Sequence, residues 1–331
     1  MRLPTPRGPL SRAVIGHLGR NLPIQAVDTA RLAMLLREID DPCTDADLHL
    51  ALATCYELHY RGFDGVDDNW EWDLGLLGWR AELEHAFESE LVKVVPRPAT
   101  LTESIDRALR RLLDDATGPS VSSHLLKRGT VAQYRDFLTQ RSVYQLKEAD
   151  PHTWAIPRLA NRTKAALVEI QADEYGGGDP IRMHAAMFAR AMRALDLDDT
   201  YGAYWDRASG ATLATVNLMS MFGLHRRLRG AILGHLAALE MDSTTPNRRY
   251  AGGLRRLGYG ADATAYFDEH VEADAVHEQI AAVDLCGSFV AEEPALGPDV
   301  LWGAACCLHL DSAAATQFLQ SWDADRPPGP L

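Results

Sequence analysis

Apolar residues recur along this chain at intervals of three and four, and alternating β-branched runs of strand length are almost absent. That pattern predicts helices throughout. The first runs from Asp28, a possible N-cap, through TARLAMLLREI. The next cover 45–60 and 74–95, joined by the loop GFDGVDDN. Another covers 102–115, with Thr102 or Ser104 as its cap, before Pro119 and the serines at 120, 122 and 123 break the pattern. The second half is more regular. A helix over 130–148 stops at Asp150-Pro151, and one over 158–173 ends at Gly176 to Gly178. Pro180 suits the first turn of a helix to Leu195. A long apolar segment spans 211–239, and 266–290 and 299–322 complete about ten helices. Residues 1–28, with four prolines and little periodicity, read as a surface arm, and 29–325 as one bundle-like domain.

Composition narrows the class. The chain has 331 residues, of which 47% are hydrophobic and 24% charged, enough for a sizeable core. No apolar run is long enough to span a membrane, and the start MRLPTPRGPLSRAVIGHLGR lacks the compact apolar stretch of a secretory signal. The five cysteines form no CxxC pair, so the expected compartment is reducing and cytoplasmic, with Cys306-Cys307 as buried packing. A net charge of −13 opposes nucleic-acid binding. The arginine clusters at 107–111 and 226–229 read as solvated helix faces.

Hydrolase chemistry has no visible carrier: GxSxG and HExxH are absent. The triplet Gly176 to Gly178 follows a helix rather than a strand and lacks a following lysine-serine or lysine-threonine pair, so it is not a phosphate loop. The segment from Tyr266 to His277 is different. At about 100° per residue, Asp274 lies about 40° to one side of His270 and His277 about 20° to the other. Two imidazoles and a carboxylate therefore share a helical face, a set suited to iron, manganese or zinc; the bland alternative is a solvated face. Glu174 and His184, ten residues apart, flank the glycine turn, which can bring them to one point or leave them a capping acid and a core histidine. Glu148, near a helix end, gains meaning only as a donor from a third helix. Three carboxylates and three imidazoles can hold two metals with open positions, though the Glu-x-x-His pattern of ferritin-like bundles is missing.

The order Glu148, Glu174-Tyr-Gly-Gly-Gly, His184, His270-x-x-x-Asp274-x-x-His277 resembles that of the haem-oxygenase-like diiron oxidases and oxygenases. The resemblance spans roughly residues 30–325 and is most specific over 141–184 and the helix carrying His270. It implies an all-α, haem-oxygenase-like bundle of seven core helices with extra N-terminal ones. It also implies two Fe(II) ions held by Glu148, Glu174, His184, His270, Asp274 and His277, with O₂ as co-substrate and room for an external electron source. The activity implied is oxidation of a small molecule in secondary metabolism. C–H cleavage of a small aliphatic amino acid, with desaturation and cyclisation, comes first; N-oxygenation of an amine and oxidative decarboxylation of a fatty acid are the alternatives. Arg141 and Tyr144, seven and four residues before Glu148, are the candidate substrate contacts, with intrahelical pairing as their other reading. A homodimer is compatible with this picture.

Other residues suggest less. The pairs Glu57/His59 and Glu84/His85, with Glu82, read as surface groups because close neighbours point to different helix faces. Trp70, Trp72 and Trp79 suggest a core or interface patch, the docking surface of a non-catalytic helical or metal-buffering protein if the six ligands mean nothing. A haem-binding relative would need one axial histidine and leave the carboxylates unexplained.

Overall fold

The computed structural model describes residues 1–19 and 29–324, apart from the side chains of residues 29, 30, 274 and 275. Among them the regular structure is helical, without a strand. Residues 9–18, expected in an irregular arm, form helix α1 (Pro9–Leu18), whose Leu10, Val14 and Leu18 are buried. Three prolines precede or open this helix, where a missing N–H costs nothing, so its short apolar stripe at four-residue spacing decides. Helix α2 (Thr29–Arg37) follows, and its expected cap Asp28 lies outside the described residues. Helix α3 (Ala46–Glu57) packs on α1, and Asp45 accepts from the amides of Asp47 and Leu48 at its start. Then come α4 (Leu74–Val94), α5 (Ile105–Asp114), α6 (Val121–Arg128) and α7 (Val131–Gln145). Ser104, rather than Thr102, stands before α5, and the serines read as a break instead begin α6.

The second half supplies α8 (Asp150–Thr153), α9 (Asn161–Glu174), α10 (His184–Ala194), α11 (Gly210–Leu224), α12 (Arg229–Asp242) and α13 (Thr244–Arg256). Helix α14 (Ala261–Gln279) runs into a π-helical stretch, Ile280–Gly287, and on through α15 (Ser288–Glu292); α16 (Gly297–Ala324) closes the fold. The segment 211–239, expected as one helix, is two. Its apolar text hides a break at His225, where the backbone is extended. The Arg158 guanidinium from a distant loop takes the freed carbonyls of Gly223 and Leu224. No local signal could show that.

Helix α12 lies against α16 at backbone contact. A Cβ on Gly234 would fall 1.7 Å from the Val300 carbonyl oxygen, and one on Gly303 2.0 Å from that of Ala231. The two glycines thus admit each other's helix, which sets how deep the residues of α12 reach into the bundle. The core forms two apolar clusters. Tyr266 and Phe267 belong to one and Ile280 and Ala281 to the other, so the stretch with His270 and His277 crosses between them.

Glu57, His59 and Glu84, expected at the surface, are buried; Glu82 and His85 are exposed. The three buried ones meet partners from elsewhere in the chain: Lys147 for Glu57, Glu71 for His59 and His225 for Glu84. Trp70 and Trp79 are buried and Trp72 is exposed, so the tryptophans form no single patch. All five cysteines are buried and free. No helix among the described residues is long and apolar enough to cross a membrane.

His49 is a buried neutral imidazole. Its Nε2 donates to the Pro42 carbonyl at 3.0 Å and its Nδ1 accepts from the Asn217 amide at 3.1 Å, so both nitrogens are committed without a second proton. Burial lowers its pKa to about 4. An unfolded histidine titrates near ~6.5. Between those values the unfolded chain binds more protons, so the stabilisation is complete above the unfolded value and is lost as pH falls towards the folded one. We expect a loss of at most about 3 kcal/mol by the acid end of that window. Urea melts across it should show a smaller loss in His49→Gln.

Candidate metal centre

Each side chain of the centre owes its place to a local device. Helix α7 ends at Gln145, so Glu148 lies beyond it in a turn, not on the same helical face as Arg141 and Tyr144 as expected. Ala149 closes the turn with φ 75°, a left-handed conformation that costs an alanine about 1 kcal/mol or more. Gln171 offsets this by donating to the Ala149 carbonyl at 2.9 Å. Glu174 is the last residue of α9. The turn after it places Gly176, Gly177 and Gly178 all at positive φ, and a Cβ on Gly176 would fall 2.6 Å from the Met183 amide nitrogen. That close return brings His184, first residue of α10, back beside Glu174; Pro180 belongs to the turn, not to the helix.

The result is two groups of donor atoms. Glu148, Glu174, His184 and His270 each offer one, all within 4.8 Å of one another; Glu174, Glu240 and His277 do the same. Glu174 belongs to both. Of the six residues singled out in the sequence, five fall in these groups, while the Asp274 side chain lies outside the described residues. Glu240, on α12, was not anticipated. Its signal was faint: it stands three and four residues after the apolar Ala237 and Leu236, so it shares their buried face, one residue beyond the expected helix end.

A family model described as iron-containing redox enzyme matches residues 135–312, a span that holds every residue of both groups. The chain belongs to this haem-oxygenase-like family of iron-containing redox enzymes. It is therefore an oxidoreductase of all-α fold. No curated protein matches it.

The donors fit iron in this redox enzyme by their hydrogen bonding as well as their type. His270 Nδ1 donates to the Tyr266 carbonyl at 2.8 Å, which leaves Nε2 the basic nitrogen, 3.6 Å from Glu148 Oε1. His277 Nε2 donates to the Asp173 carboxylate at 3.0 Å, so Nδ1 is turned inward, 3.4 Å from Glu240 Oε2. His184 Nδ1 stands 3.0 Å from Glu174 Oε2. Yet Glu174 Oε2, His184 Nδ1 and His277 Nδ1 are buried without a properly aligned hydrogen bond. Atoms that converge at contact distance without bonding to each other suit a shared cation. Asp173, also not anticipated, orients a donor from outside the centre. The Tyr266 hydroxyl donates to both oxygens of Glu148, at 2.7 and 2.9 Å, and its ring lies 4.4 Å from that of His270.

Electrostatics point the same way. Burial would raise the Glu174 carboxyl, but His184, His270 and His277 outweigh it and hold it well below the carboxylate range. Burial raises Glu240, and the Glu174 charge adds to this. Burial would lower His277, but Glu240 and Asp173 hold it up, at about 9. Three carboxylates packed together draw positive charge, whether protons or a cation.

The centre opens into a cavity of about 440 Å³, whose walls include Glu148, Glu174, Glu240 and His270. Arg141 and Tyr144 also line it. Arg141 therefore faces the cavity, and its guanidinium also lies 5.6 Å from the ring centroid of Phe137, four residues before it on α7, an intrahelical pairing of the kind the other reading expects.

Proposed function

We propose that this redox enzyme is an O₂-dependent oxidase that holds two ferrous ions and takes hydrogen from an aliphatic C–H bond of a small molecule. One ion would lie among Glu148, Glu174, His184 and His270, the other among Glu174, Glu240 and His277, with Asp274 close to hand in sequence. The observation that carries this reading is the sharing of Glu174 between two mixed carboxylate–imidazole groups beside one cavity. A single metal site or a haem site has no use for that arrangement.

Bound there, a ferrous pair supplies the electrons that reduce O₂ and the oxidant that attacks substrate. The chain's own residues do the rest. Tyr266 pins Glu148 through both oxygens, and Asp173 fixes the ring of His277. Phe137, Phe188, Phe267, Leu236 and Leu239 give the cavity apolar walls, which exclude water from the reacting bond. A volume near 440 Å³ is within the usual range of small-molecule pockets, about 300–1,000 Å³.

The test is anaerobic titration of the full chain with Fe(II), then mixing with O₂. We expect two irons per chain and O₂ uptake that rises with a suitable substrate. Iron binding that stops at one, or bound iron that consumes no O₂ with amino acids, amines or fatty acids, would remove this reading.

A further inference from the structure

The second apolar cluster is rich in aromatic rings, and they form a continuous line from the metal centre to the surface. The Tyr266 ring lies 4.4 Å from that of His270. From Tyr266 the line passes to Phe267 at 5.2 Å and on to Tyr250 of α13 at 5.6 Å. Phe137 of α7 follows at 4.6 Å, then Phe318 of α16 at 6.2 Å and Trp322 at 5.5 Å, all between ring centroids. Trp322 sits in the last turn of α16, between the exposed Ser321 and Asp323. Packing alone does not call for hydroxyl and indole groups here, since each buried polar group must find a partner. At both ends that partner is a carboxylate. The Tyr266 hydroxyl donates to Glu148 at 2.7 Å, and Trp322 Nε1 donates to Asp136 at 2.8 Å. Midway, the Tyr250 hydroxyl meets the Arg141 guanidinium.

A tyrosine or tryptophan gives up an electron more readily when its proton has an acceptor, and each end of the line supplies one. Phenylalanine is not oxidised in the same range, so Phe267, Phe137 and Phe318 only couple their neighbours. We propose that the line is an escape route for oxidising equivalents, leading from the metal centre to Trp322 when the cavity holds no substrate. Tyr266 gives one electron to the oxidised centre and its hydroxyl proton to Glu148. An electron from Trp322, passed by way of Tyr250, restores Tyr266, whose proton returns from Glu148; the indole proton goes to Asp136. A soluble one-electron reductant of the ascorbate class then restores Trp322, and Asp136 returns the proton. The net change is one electron moved from the reductant to the centre. The route rests on the oxidase reading for its oxidant, but it can be driven from its outer end without iron.

All five cysteines are buried, so a ruthenium photosensitiser can be linked at the outer end through Ser321→Cys. A flash in the presence of persulfate makes that complex a one-electron oxidant beside Trp322. In the full chain without iron, electron paramagnetic resonance should then show a tyrosyl radical. Tyr266→Phe, which keeps the ring, should lower its yield at least tenfold, and Trp322→Phe should do the same. No tyrosyl radical in the otherwise unaltered chain overturns the proposal whether or not the variants fold. So does a radical yield that either substitution leaves unchanged. With iron loaded and O₂ admitted without substrate, Trp322→Phe should lose activity several-fold sooner than the natural chain; equal lifetimes would also overturn the proposal. Iron content measured in parallel separates the two ideas. A chain that forms the Tyr266 radical but takes up no iron keeps the ring path and loses the oxidase reading.

Discussion

Glu174→Ala should strip iron from both positions at once. Among the described residues Glu174 is the one common to the two donor groups, so its loss leaves Glu148, His184 and His270 on one side and Glu240 and His277 on the other. Losing an outer partner of a ligand already costs about 10–100-fold in metal affinity. Losing the shared ligand should cost on the order of 100-fold or more at each position, and substrate-dependent O₂ uptake should fall with it. Iron content after anaerobic loading and desalting should drop from two per chain to below one. Glu240→Ala is the contrast: it touches one group and should leave one iron. Asp173→Asn should be milder still, weakening the site of His277 without emptying it. The fold should survive Glu174→Ala, since removing a buried acid relieves like charge beside Glu240, and a far-ultraviolet dichroism melt checks that. Two irons retained by Glu174→Ala would end the shared-ligand interpretation.

Lys147→Met should be strongly destabilising although it lies outside the centre. Glu57 is fully buried and Lys147 nearly so, their charges 3.0 Å apart. Tyr201 donates to both Glu57 oxygens, at 2.7 and 2.8 Å, and the Lys147 ammonium also lies 3.9 Å from the Tyr60 ring centroid. Arg61 cannot simply replace the ammonium, because its guanidinium sits over the Tyr201 ring and donates to the Leu146 carbonyl. Without Lys147 the Glu57 carboxylate stays buried with neutral donors, which costs about 3–5 kcal/mol. Urea denaturation measures this. The double variant Glu57→Gln/Lys147→Met should recover most of the loss, because the cost lies in the orphaned charge rather than in the absent contact. Lys147 precedes Glu148 directly and anchors its turn, so Lys147→Met should also weaken iron binding. A single variant as stable as the natural chain would mean that the pair is not closed in solution.

Much of the centre was legible because its spacing is local. His270 and His277 share a face through helical geometry alone, and the glycine triplet announces the turn that returns His184 to Glu174. Glu148 was legible only through the order of the whole motif. Glu240 and Asp173 were not, for different reasons. Glu240 reads as the polar end of an apolar helix, and only the packing of α12 against α14 and α16 turns it inward. Asp173 stays an exposed acid in the fold, and only the approach of His277, 104 residues away, marks it.

The sequence by itself determined the helical class, the order of the donors and the turn that pairs Glu174 with His184, since each depends on residues within a few turns of one another. It missed the break at His225, because that break is stabilised by Arg158, 65 residues from the Gly223 carbonyl it takes. Tertiary structure decided which acids are buried. Glu57, Glu84 and Glu240 carry no local mark that separates them from solvated neighbours such as Glu82. Burial of a charge depends on the partner that meets it, and those partners come from distant parts of the chain.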